Sequence, residues 1–311
     1  MPTLLVSHPQ GLNHLVPSGH PERPERLLAI EKALFQPRFN NLIRKKAIET
    51  DLEIVELVHC KNYLKILRDA RPAEGIGNID ADTFISCASF DAIASGVGAG
   101  LMALDAVILG EVDNAFCAIR PPGHHAEIDK PMGFCLINNI AIVAREAIRK
   151  YGADRVAIID FDVHHGNGTE DIFKQDKNVF YASSHQMDIY PGTGKMEEEG
   201  VGNIVNCPLA AGSNGVAMRE AYESRIFPAL ENFSPDIILI SAGFDADKRD
   251  PLAGLNWQSE DFAWITGKLM DIADKYCNNR IISMLEGGYD LNALADGSIK
   301  HVNMLNSGIS E

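Results

Sequence analysis

The sequence predicts an α/β fold in which helices cover both faces of a central, mostly parallel sheet of about eight strands. Short apolar runs of strand length alternate along the chain with longer segments of helical periodicity. This alternation is typical of parallel sheets, because parallel strands need a crossover connection between them. The 311 residues contain no linker-like or repetitive stretch, so we expect one domain spanning residues 1–311.

The first half of the chain begins with a strand at residues 3–7 and a polar loop. Residues 20–26 of this loop are rich in charge, which predicts either an ion-pair knot in a solvated loop or direct contact with a substrate. Pro24 can begin the next helix, residues 25–35, because its fixed φ suits the first helical position. The other elements predicted here are a strand at 47–50, helical segments at 55–59 and 63–69, a Gly- and Asp-rich loop at 72–83, a small-residue helix at 89–109 that packs closely on the sheet, and a strand at 115–119.

In the second half, strands and helices follow one another at short intervals. The helix at 137–150 ends at Gly152, a typical stop signal. Residues 184–202 form a long loop between two strands. The remaining predicted elements are strands at 156–162, 179–184, 204–209, 236–241 and 281–285, and helices near 169–175, at 216–232, at 258–276 and after residue 289.

The charge balance argues against several classes of partner. Lys and Arg number 28 against 43 Asp and Glu, which gives a formal net charge of −15. An acidic chain of this kind disfavours direct binding of nucleic acid or of an anionic membrane surface. We find neither a secretory signal nor an apolar run approaching the ~20 residues of a membrane span. The six cysteines are scattered, without a Cys-x-x-Cys spacing, so we expect free thiols in a reducing cytoplasm.

Four of the predicted strands end in polar turns that contain glycine. In an open parallel sheet, such turns all lie at the carboxyl edge, where ligands bind. Each side chain alone has a structural explanation, such as a helix cap for an aspartate. Delivery of the whole group to one edge instead favours a functional site. The turns are residues 120–126, 160–168, 241–245 and 286–289, and they deliver His124, His125, Asp160, Asp162, His164, His165, Asp245 and Tyr289.

The turn at residues 160–168 reads DFDVHHGNG and follows a buried strand. Because side chains on a strand alternate between faces, Asp160, Asp162 and His164 project from one side. Such groups are costly to bury unless they are paired or bound to a metal. Catalytic zinc typically has three N or O ligands from the protein and one water, so Asp162 and His164 can supply two ligands and Asp245 the third. Ligand sets that use the other histidines remain possible on residue type.

The other side chains at this edge suit acid–base chemistry. His124 and His125 follow a rigid Pro-Pro-Gly turn, which suits groups held beside a metal rather than on it. Asp160 is free to orient a histidine and to fix its tautomer. Tyr289 offers a hydroxyl donor to an oxyanion. Together these groups predict metal-assisted hydrolysis with an activated water and a histidine acid and base.

These motifs resemble the zinc-dependent histone deacetylase family, whose fold is arginase-like. The resemblance covers about residues 5 to 295 and extends to histone deacetylase-like and acetylpolyamine amidohydrolases. Residues 120–126, RPPGHHA, resemble the class II form rather than class I. The other matching motifs are residues 19–24 (GHPERP), 160–168 (DFDVHHGNG), 241–245 (SAGFD), 250–252 (DPL) and 286–289 (EGGY).

The resemblance implies a role for each residue of the constellation. His124 and His125 are the acid–base pair, with His125 the base, and Asp160 backs His124. Asn167 stands where class I members have an aspartate behind the second histidine, as is usual in class II. Tyr289 polarises the acyl carbonyl. The implied ligands of one Zn²⁺ per chain are Asp162, His164 and Asp245.

Family members also hold K⁺ near the zinc, as a structural ion. The matching positions are Asp160, Asp162, His164, Ser183 and Ser184. A second K⁺ would lie near Phe173, Asp176 and Val179, bound through backbone carbonyls.

The resemblance also implies an apolar channel for a lysine-like alkyl chain. Phe134, after Gly133, forms one wall, and Tyr190 forms the other. Asp82 matches a rim aspartate that binds substrate backbone amides. Leu252 stands where a polyamine-selective relative has a glutamate, which favours an acyl-lysine chain here.

We therefore expect an enzyme that hydrolyses an acetyl or short acyl group from an ε-N-acyl-lysine-like substrate, either a peptide or an acylated small amine. An acetylpolyamine deacetylase on the same scaffold is the first alternative. An acyl-lysine binding module with a relict site is the second. A binuclear arginase-like enzyme is the third, and it needs further bridging carboxylates near Asp162.

Overall fold

The computed structural model describes residues 2–308, and it contains a large parallel sheet enclosed by helices. The ten strands of the described residues are β1 (Thr3–Ser7), β2 (Ile43–Lys46), β3 (Ile76–Asn78), β4 (Phe84–Ser86), β5 (Asn114–Ala118), β6 (Val156–Asp160), β7 (Val179–Gln186), β8 (Ile204–Leu209), β9 (Ile237–Ala242) and β10 (Ile281–Leu285). Eight of them form one sheet in the order β2-β1-β5-β10-β9-β6-β7-β8. Every neighbouring pair in this sheet is parallel, which confirms the predicted fold class.

Helices connect the strands and cover the sheet. In the described residues they are α1 (Gln10–Asn13), α2 (Glu25–Leu34), α3 (Tyr63–Ala70), α4 (Ser89–Ile108), α5 (Asn139–Tyr151), α6 (Asn167–Phe173), α7 (Gly215–Ala221), α8 (Phe227–Phe233), α9 (Ser259–Tyr276) and α10 (Leu291–Ser307). Short 3-10 turns lie at Pro37–Phe39 and Leu52–Leu57.

The core lies on both faces of the sheet, so the central strands are apolar on both sides. Along β6, Ile158 packs into the cluster formed with α4 and α5, whereas Ile159 packs into the cluster formed with α2, α9 and α10. The predicted close packing of α4 is confirmed at Gly100. A Cβ there would lie 2.5 Å from Val143 on α5 and 2.8 Å from Met284 on β10.

Helix α4 is also long and apolar enough to cross a membrane by length and composition alone. The sequence does not show this segment as one apolar run, because Gly, Ser and Asp interrupt it. In its most apolar window, 72% of the helix is buried inside the protein, as expected for the core helix of a layered fold.

The predicted strand at 47–50 is wrong, because the strand ends just before it, at Lys46. Strand β2 lies at the edge of the sheet and its sequence, IRKK, is largely exposed. Charged edge strands of this kind prevent pairing with other chains, but they lack an apolar run that sequence could reveal. The antiparallel pair β3 and β4 was missed for a similar reason, since three-residue strands carry almost no periodicity.

The predicted helix at 216–232 is divided by a π-helical turn, Tyr222–Ile226, between α7 and α8. Pro228 follows this turn, and it has no N–H to donate to the carbonyl four residues earlier. Widening of the helix before proline accommodates the missing hydrogen bond. The segment predicted as helical at 55–59 forms the 3-10 turn Leu52–Leu57 instead.

The four polar turns follow β5, β6, β9 and β10. These strands are consecutive neighbours in the middle of the sheet, in the order β5-β10-β9-β6. Because all four are parallel, their carboxyl ends lie side by side, and the turns meet at one edge.

Candidate active site

Asp162, His164 and Asp245 form a buried group in which one ligand atom from each residue lies within 4.8 Å of the others. Asp162 and His164 come from the turn after β6, and Asp245 comes from the turn after β9. These are the three residues that the sequence predicts as metal ligands. Among the described residues, no other group of His, Cys, Asp and Glu side chains meets the same distance criterion.

Backbone amides fix the two carboxylates. The Gly287 N–H donates to Asp162 Oδ2 at 2.8 Å, and the Val163 N–H donates to Asp245 Oδ1 at 2.9 Å. The glycine at position 287 is required by this close approach, since a Cβ there would lie 2.1 Å from Asp245 Oδ2. Each carboxylate therefore keeps one defined oxygen directed at the centre of the group.

The electrostatics of this group suit a bound cation. His164 Nδ1 lies 3.1 Å from Asp162 Oδ1 and 3.3 Å from Asp245 Oδ2. Burial lowers the pKa of His164, but the two carboxylates outweigh it and raise that pKa to about 10. Asp245 Oδ2 is buried and accepts no hydrogen bond from the described residues. One nitrogen and two carboxylates in a field that stabilises positive charge fit the donor set of a catalytic Zn²⁺.

His124 and His125 lie next to the ligand group, with ring centroids 4.0 Å apart. His124 Nδ1 lies 2.9 Å from Asp160 Oδ2, as predicted, and its Nε2 lies 3.8 Å from Asp162 Oδ1. Burial lowers the pKa of His124, but Asp160 and Asp162 outweigh it and raise that pKa to about 10. Asp160 and Asp162 thus favour the protonated form of His124.

His125 has the opposite protonation behaviour. Its Nδ1 lies 2.8 Å from Asn167 Oδ1, which is the contact that the sequence predicts. Burial, together with the neighbouring His124 and His164, holds the pKa of His125 well below its usual range. A neutral histidine beside a charged one is a typical arrangement, in which the neutral ring is the base and the charged ring its electrostatic partner.

Tyr289 lies in the turn after β10, and its side chain is buried. Burial raises the pKa of its hydroxyl well above the usual value, so the group remains a hydrogen-bond donor. Its backbone N–H donates to Asp250 Oδ2 at 2.7 Å, which fixes the turn. These features suit the predicted oxyanion role.

The predicted channel residues surround the histidine pair. The ring of Phe134 lies edge-on to Tyr289 with centroids 5.7 Å apart, and the ring of Tyr190 lies edge-on to His125 at 5.2 Å. Gly133 has φ +57°, and a Cβ there would lie 2.5 Å from His125 Cδ2. Two aromatic rings thus flank the approach to the histidines, while Tyr190 remains 39% exposed.

Asp82 and Leu252 lie farther out. Asp82 Oδ1 accepts a hydrogen bond from Thr83 Oγ1 at 2.9 Å, and Thr83 Oγ1 accepts one from the Phe134 N–H at 3.1 Å. Asp82 is therefore connected to the channel wall through one residue. The side chain of Leu252 is 38% exposed, and its N–H donates to Asp250 Oδ1 at 3.0 Å.

The residues matched to the first K⁺ have a defined hydrogen-bond pattern. His185 Nε2 lies 2.9 Å from the Gly194 carbonyl, which can only accept, so the ring donates through Nε2. Burial lowers the pKa of His185 to about 3, so its Nδ1 accepts the Ser183 hydroxyl proton at 2.9 Å. The Ser183 hydroxyl thus lies between the His185 ring and the Tyr181 hydroxyl. Ser184 Oγ instead lies 3.0 Å from the Tyr222 hydroxyl.

The three residues matched to the second K⁺ also converge. Their carbonyl oxygens all lie within hydrogen-bond distance of Asn203 Nδ2, at 2.9 Å for Phe173, 3.0 Å for Asp176 and 2.7 Å for Val179. The carbonyls point to one place as predicted, but an amide group occupies that place here. Asn203 was not identified from the sequence, because it lies thirty residues beyond the first of these carbonyls.

Glu22 and Arg26 of the charged N-terminal segment are buried, whereas Arg23 and Glu25 are exposed, so the prediction of a solvated loop is wrong for the two buried charges. The Glu22 carboxylate accepts hydrogen bonds from Arg120 Nε at 2.5 Å and from Arg26 Nη1 at 3.0 Å, and all three side chains are buried. Arg26 Nε also donates to the Gly288 carbonyl at 2.7 Å. The predicted ion-pair knot is confirmed for Glu22 and Arg26, and its further member is Arg120. It supports the turn that carries Tyr289.

Glu286 is a further buried carboxylate whose role the sequence did not reveal. Its Oε2 accepts hydrogen bonds from the backbone N–H of Gly123 at 2.7 Å and of His124 at 3.2 Å. Burial raises its pKa to about 7. The residue thus connects the turn after β10 to the turn that carries the histidine pair. Its place in the EGGY motif was the only available signal.

Comparisons with known proteins find one family across most of the chain. The profile of one family, described as Histone deacetylase domain, matches residues 20–305. Histone deacetylase 10, chloroplastic, of Oryza sativa subsp. japonica is 40% identical over 298 residues, covering 89% of this chain and 67% of the rice protein. A protein of Archaeoglobus fulgidus named probable deacetylase is 36% identical, and the alignment covers 98% of this chain and 85% of that protein.

Two further comparisons extend the likeness to a bacterial enzyme and to a solved structure. The histone deacetylase-like amidohydrolase of Pseudomonas aeruginosa is 36% identical, and the alignment covers 88% of this chain and 73% of that enzyme. The crystal structure of the HDA15 HD domain superposes with a TM-score of 0.92 at 32% identity, covering 98% of this chain and 89% of that one. The eight-stranded sheet and its helices thus belong to a known architecture.

Proposed function

This chain belongs to the histone deacetylase family, and on that premise we propose that it is a Zn²⁺-dependent deacylase of ε-N-acyl-lysine-like substrates. A hydrolytic enzyme that acts on acetylated substrates is the broader conclusion that family membership supports. The proposal depends above all on one observation. The buried group of Asp162, His164 and Asp245 lies beside a neutral histidine, a charged histidine and a buried tyrosine hydroxyl.

The metal would be held by His164 Nδ1 and by one carboxylate oxygen from each of Asp162 and Asp245. When bound, Zn²⁺ supplies Lewis acidity towards an acyl carbonyl and a water molecule. The protein supplies the proton transfers and the orientation of the substrate.

The two histidines have separate tasks. His125 is neutral, so its Nε2 accepts a proton from the water that attacks the acyl carbon. The same ring then gives this proton to the departing amine nitrogen. Asp160 holds the ring of His124 and favours its charged form, which stabilises the negative charge that develops on the acyl oxygen. Tyr289 donates its hydroxyl hydrogen to the same oxygen.

The aromatic rings determine which substrates reach these groups. Tyr190 lies against His125 and Phe134 lies against Tyr289, and these two rings suit an unbranched alkyl chain that ends in the amide. An alkyl amine fits such a passage because its methylene groups contact the ring faces and exclude water. We place the leaving amine of acetyl-lysine, or of a related short acyl-lysine, at the inner end of this passage.

An acetylpolyamine is the second candidate substrate. Burial raises the pKa of the Tyr190 hydroxyl, and the negative charges of Asp82 and Asp80 raise it further. Two carboxylates this close to the channel wall would attract a second ammonium group. Leu252 argues in the other direction, because a carboxylate at that position would serve a polyamine better.

A structural K⁺ is also part of the proposal. Asp160, Asp162, His164, Ser183 and Ser184 are its ligands in the family pattern. The burial of these polar side chains together supports this position. The cytoplasm remains the proposed compartment, since all six cysteines are free.

A panel of substrates with metal quantification tests the proposal. Acetyl-lysine and longer acyl-lysine peptides are compared with acetylputrescine by kcat/KM, and zinc is measured per chain in the same samples. We expect the highest kcat/KM on a short acyl-lysine peptide. A higher kcat/KM on acetylputrescine would favour the polyamine alternative, and no hydrolysis of any substrate would contradict the function.

A further inference from the structure

We propose that Glu127 is a positioning residue that orients the amide of Asn167, and that this orientation fixes the tautomer of His125. Residue 127 directly follows the turn that carries the histidine pair. The inference rests on the proposed function, since it concerns the residue assigned there as the base. It adds a member to the site that no motif in the sequence identifies.

The Asn167 side chain has two chemically different ends, and the structure gives each end its own partner. Its Nδ2 lies 2.7 Å from Glu127 Oε1 and 3.4 Å from Met132 Sδ. A carboxylate and a thioether both accept hydrogen bonds and cannot donate them. The NH₂ group must therefore face Glu127 and Met132, and Oδ1 must face His125.

This orientation determines which nitrogen of His125 carries the proton. Asn167 Oδ1 is an acceptor, so His125 Nδ1 must donate across the 2.8 Å contact. In the neutral ring the lone pair is then on Nε2, which makes no hydrogen bond to the described residues. A reversed amide would donate to Nδ1, place the proton on Nε2, and remove the lone pair that a base needs.

An aspartate behind the histidine would not need such an orienting group, because both of its oxygens accept. An asparagine does need one, because a rotation of 180° exchanges acceptor and donor. This chain has asparagine at position 167 and a carboxylate in contact with it. The pairing gives a physical reason for Glu127 that is independent of packing.

Glu127 is itself held in place. Its carbonyl oxygen accepts a hydrogen bond from His59 Nδ1 at 2.8 Å, and its N–H donates to the Lys130 carbonyl at 2.9 Å. His59 Nε2 accepts from the Asn138 N–H at 3.0 Å, so the ring donates through Nδ1. The carboxylate of Glu127 therefore projects from a fixed backbone.

The test uses Glu127→Gln, which preserves the shape of the side chain but lets it donate as well as accept. The amide of Asn167 can then adopt either orientation. We expect kcat on an acetyl-lysine peptide to fall about tenfold with KM nearly unchanged, less than the loss of a base outright. Asp129→Asn is the matched control, because it removes an exposed carboxylate two residues away, and we expect it to match the wild type.

The double variant Glu127→Gln/Asn167→Asp separates orientation from packing. The carboxylate introduced at position 167 accepts from His125 in either rotamer, and the new amide at position 127 can donate to it. We expect the double variant to recover most of the lost kcat. Recovery would not follow if Glu127 acted only through fold stability.

Nitrogen-15 NMR of the His125 ring gives a readout independent of turnover. We expect the Nδ1–H form in the zinc-loaded wild type, a mixture with Nε2–H in E127Q, and the Nδ1–H form again in the double variant. An unchanged tautomer in E127Q, or a double variant as slow as E127Q, would overturn the inference. Wild-type inactivity on every substrate would instead contradict the proposed function, and the ring spectra would still decide the role of Glu127.

Discussion

The guanidinium of Arg26 lies over the ring of Tyr289, with its Cζ 5.0 Å from the ring centroid. The same guanidinium donates hydrogen bonds to the carbonyls of Glu286 and Gly288. A cation from the first turn of α2 thus fixes both the ring and the backbone of the turn after β10. The buried knot around Glu22 is therefore part of the support for the candidate active site.

The hydroxyl of Tyr289 is predicted to act mainly in the transition state. Tyr289→Phe should lower kcat on an acetyl-lysine peptide by about 10²–10³, the usual cost of one oxyanion donor. KM should change little, because the ring remains against Phe134. Tyr276→Phe, on α9 and away from the site, is the control. Full turnover by Tyr289→Phe would show that the hydroxyl has no catalytic role.

Glu22 should make the fold sensitive to acid. Burial raises its pKa, but Arg120 and Arg26 outweigh burial and lower that pKa to about 2. Because the folded pKa is depressed, this stabilisation is present above the unfolded value of ~4.3 and is lost as the pH falls towards 2. The shift corresponds to roughly 3 kcal/mol of unfolding free energy.

Glu22→Gln provides the comparison for this effect. At pH 7 the variant should be less stable by about 3–5 kcal/mol, because two buried arginines lose their partner. The difference from the wild type should shrink as the pH falls from about 5 to about 2. Denaturant unfolding of both proteins at several pH values measures this difference in unfolding free energy. A constant difference across that range would contradict the role of the Glu22 charge.

The loop that carries Tyr190 is anchored to two buried histidines. Thr193 Oγ1 lies 2.8 Å from His165 Nδ1, and the Gly194 carbonyl accepts from His185. Thr193→Val removes the hydroxyl but keeps the shape, so the channel wall should loosen. We expect KM for an acyl-lysine peptide to rise about threefold to tenfold, the range for one hydrogen bond, with kcat little changed.

Thr193→Ser keeps the hydroxyl and should retain the wild-type KM. Hydrogen exchange of the amides of Gly194 and Lys195, which donate to Glu198, should quicken in the valine variant alone. Equal behaviour of the two variants would mean that the hydroxyl does not hold the loop.

Leu252 is predicted to influence the choice between peptide and polyamine. A carboxylate there would face the second ammonium of a polyamine at a partly exposed position. Leu252→Glu should therefore raise kcat/KM on acetylputrescine by about fivefold relative to the peptide, the scale of an exposed ion pair. Leu252→Gln controls for shape. An equal effect of Glu and Gln would rule out attraction by charge.

The ligand group could be predicted because topology fixes its place. Parallel strands place Asp162, His164 and Asp245 at one edge whatever the details of packing. Residue type still allowed ligand sets with the other histidines, and the family resemblance selected these three. Glu127 and Glu286 could not be found in this way. Their partners are a side-chain amide and backbone N–H groups up to 163 residues away in sequence. No periodicity records such contacts.

The loop around Glu22 shows a second limit of sequence. A run of charges normally indicates a solvated segment, since burial of a charge is costly without a partner. Here the partner is Arg120, 98 residues away, at the end of β5. Only the assembled fold shows that the two charges meet, so the same motif was predicted to lie in solvent.

A zinc titration tests the central claim most directly. The chelated protein is mixed with increasing Zn²⁺, and deacetylation of an acetyl-lysine peptide is measured together with bound zinc per chain. We predict negligible activity without metal and a plateau of activity at one zinc per chain. Asp245→Asn should reach neither this activity nor this zinc content. Full activity after complete removal of metal, or a plateau only at two metals per chain, would contradict it.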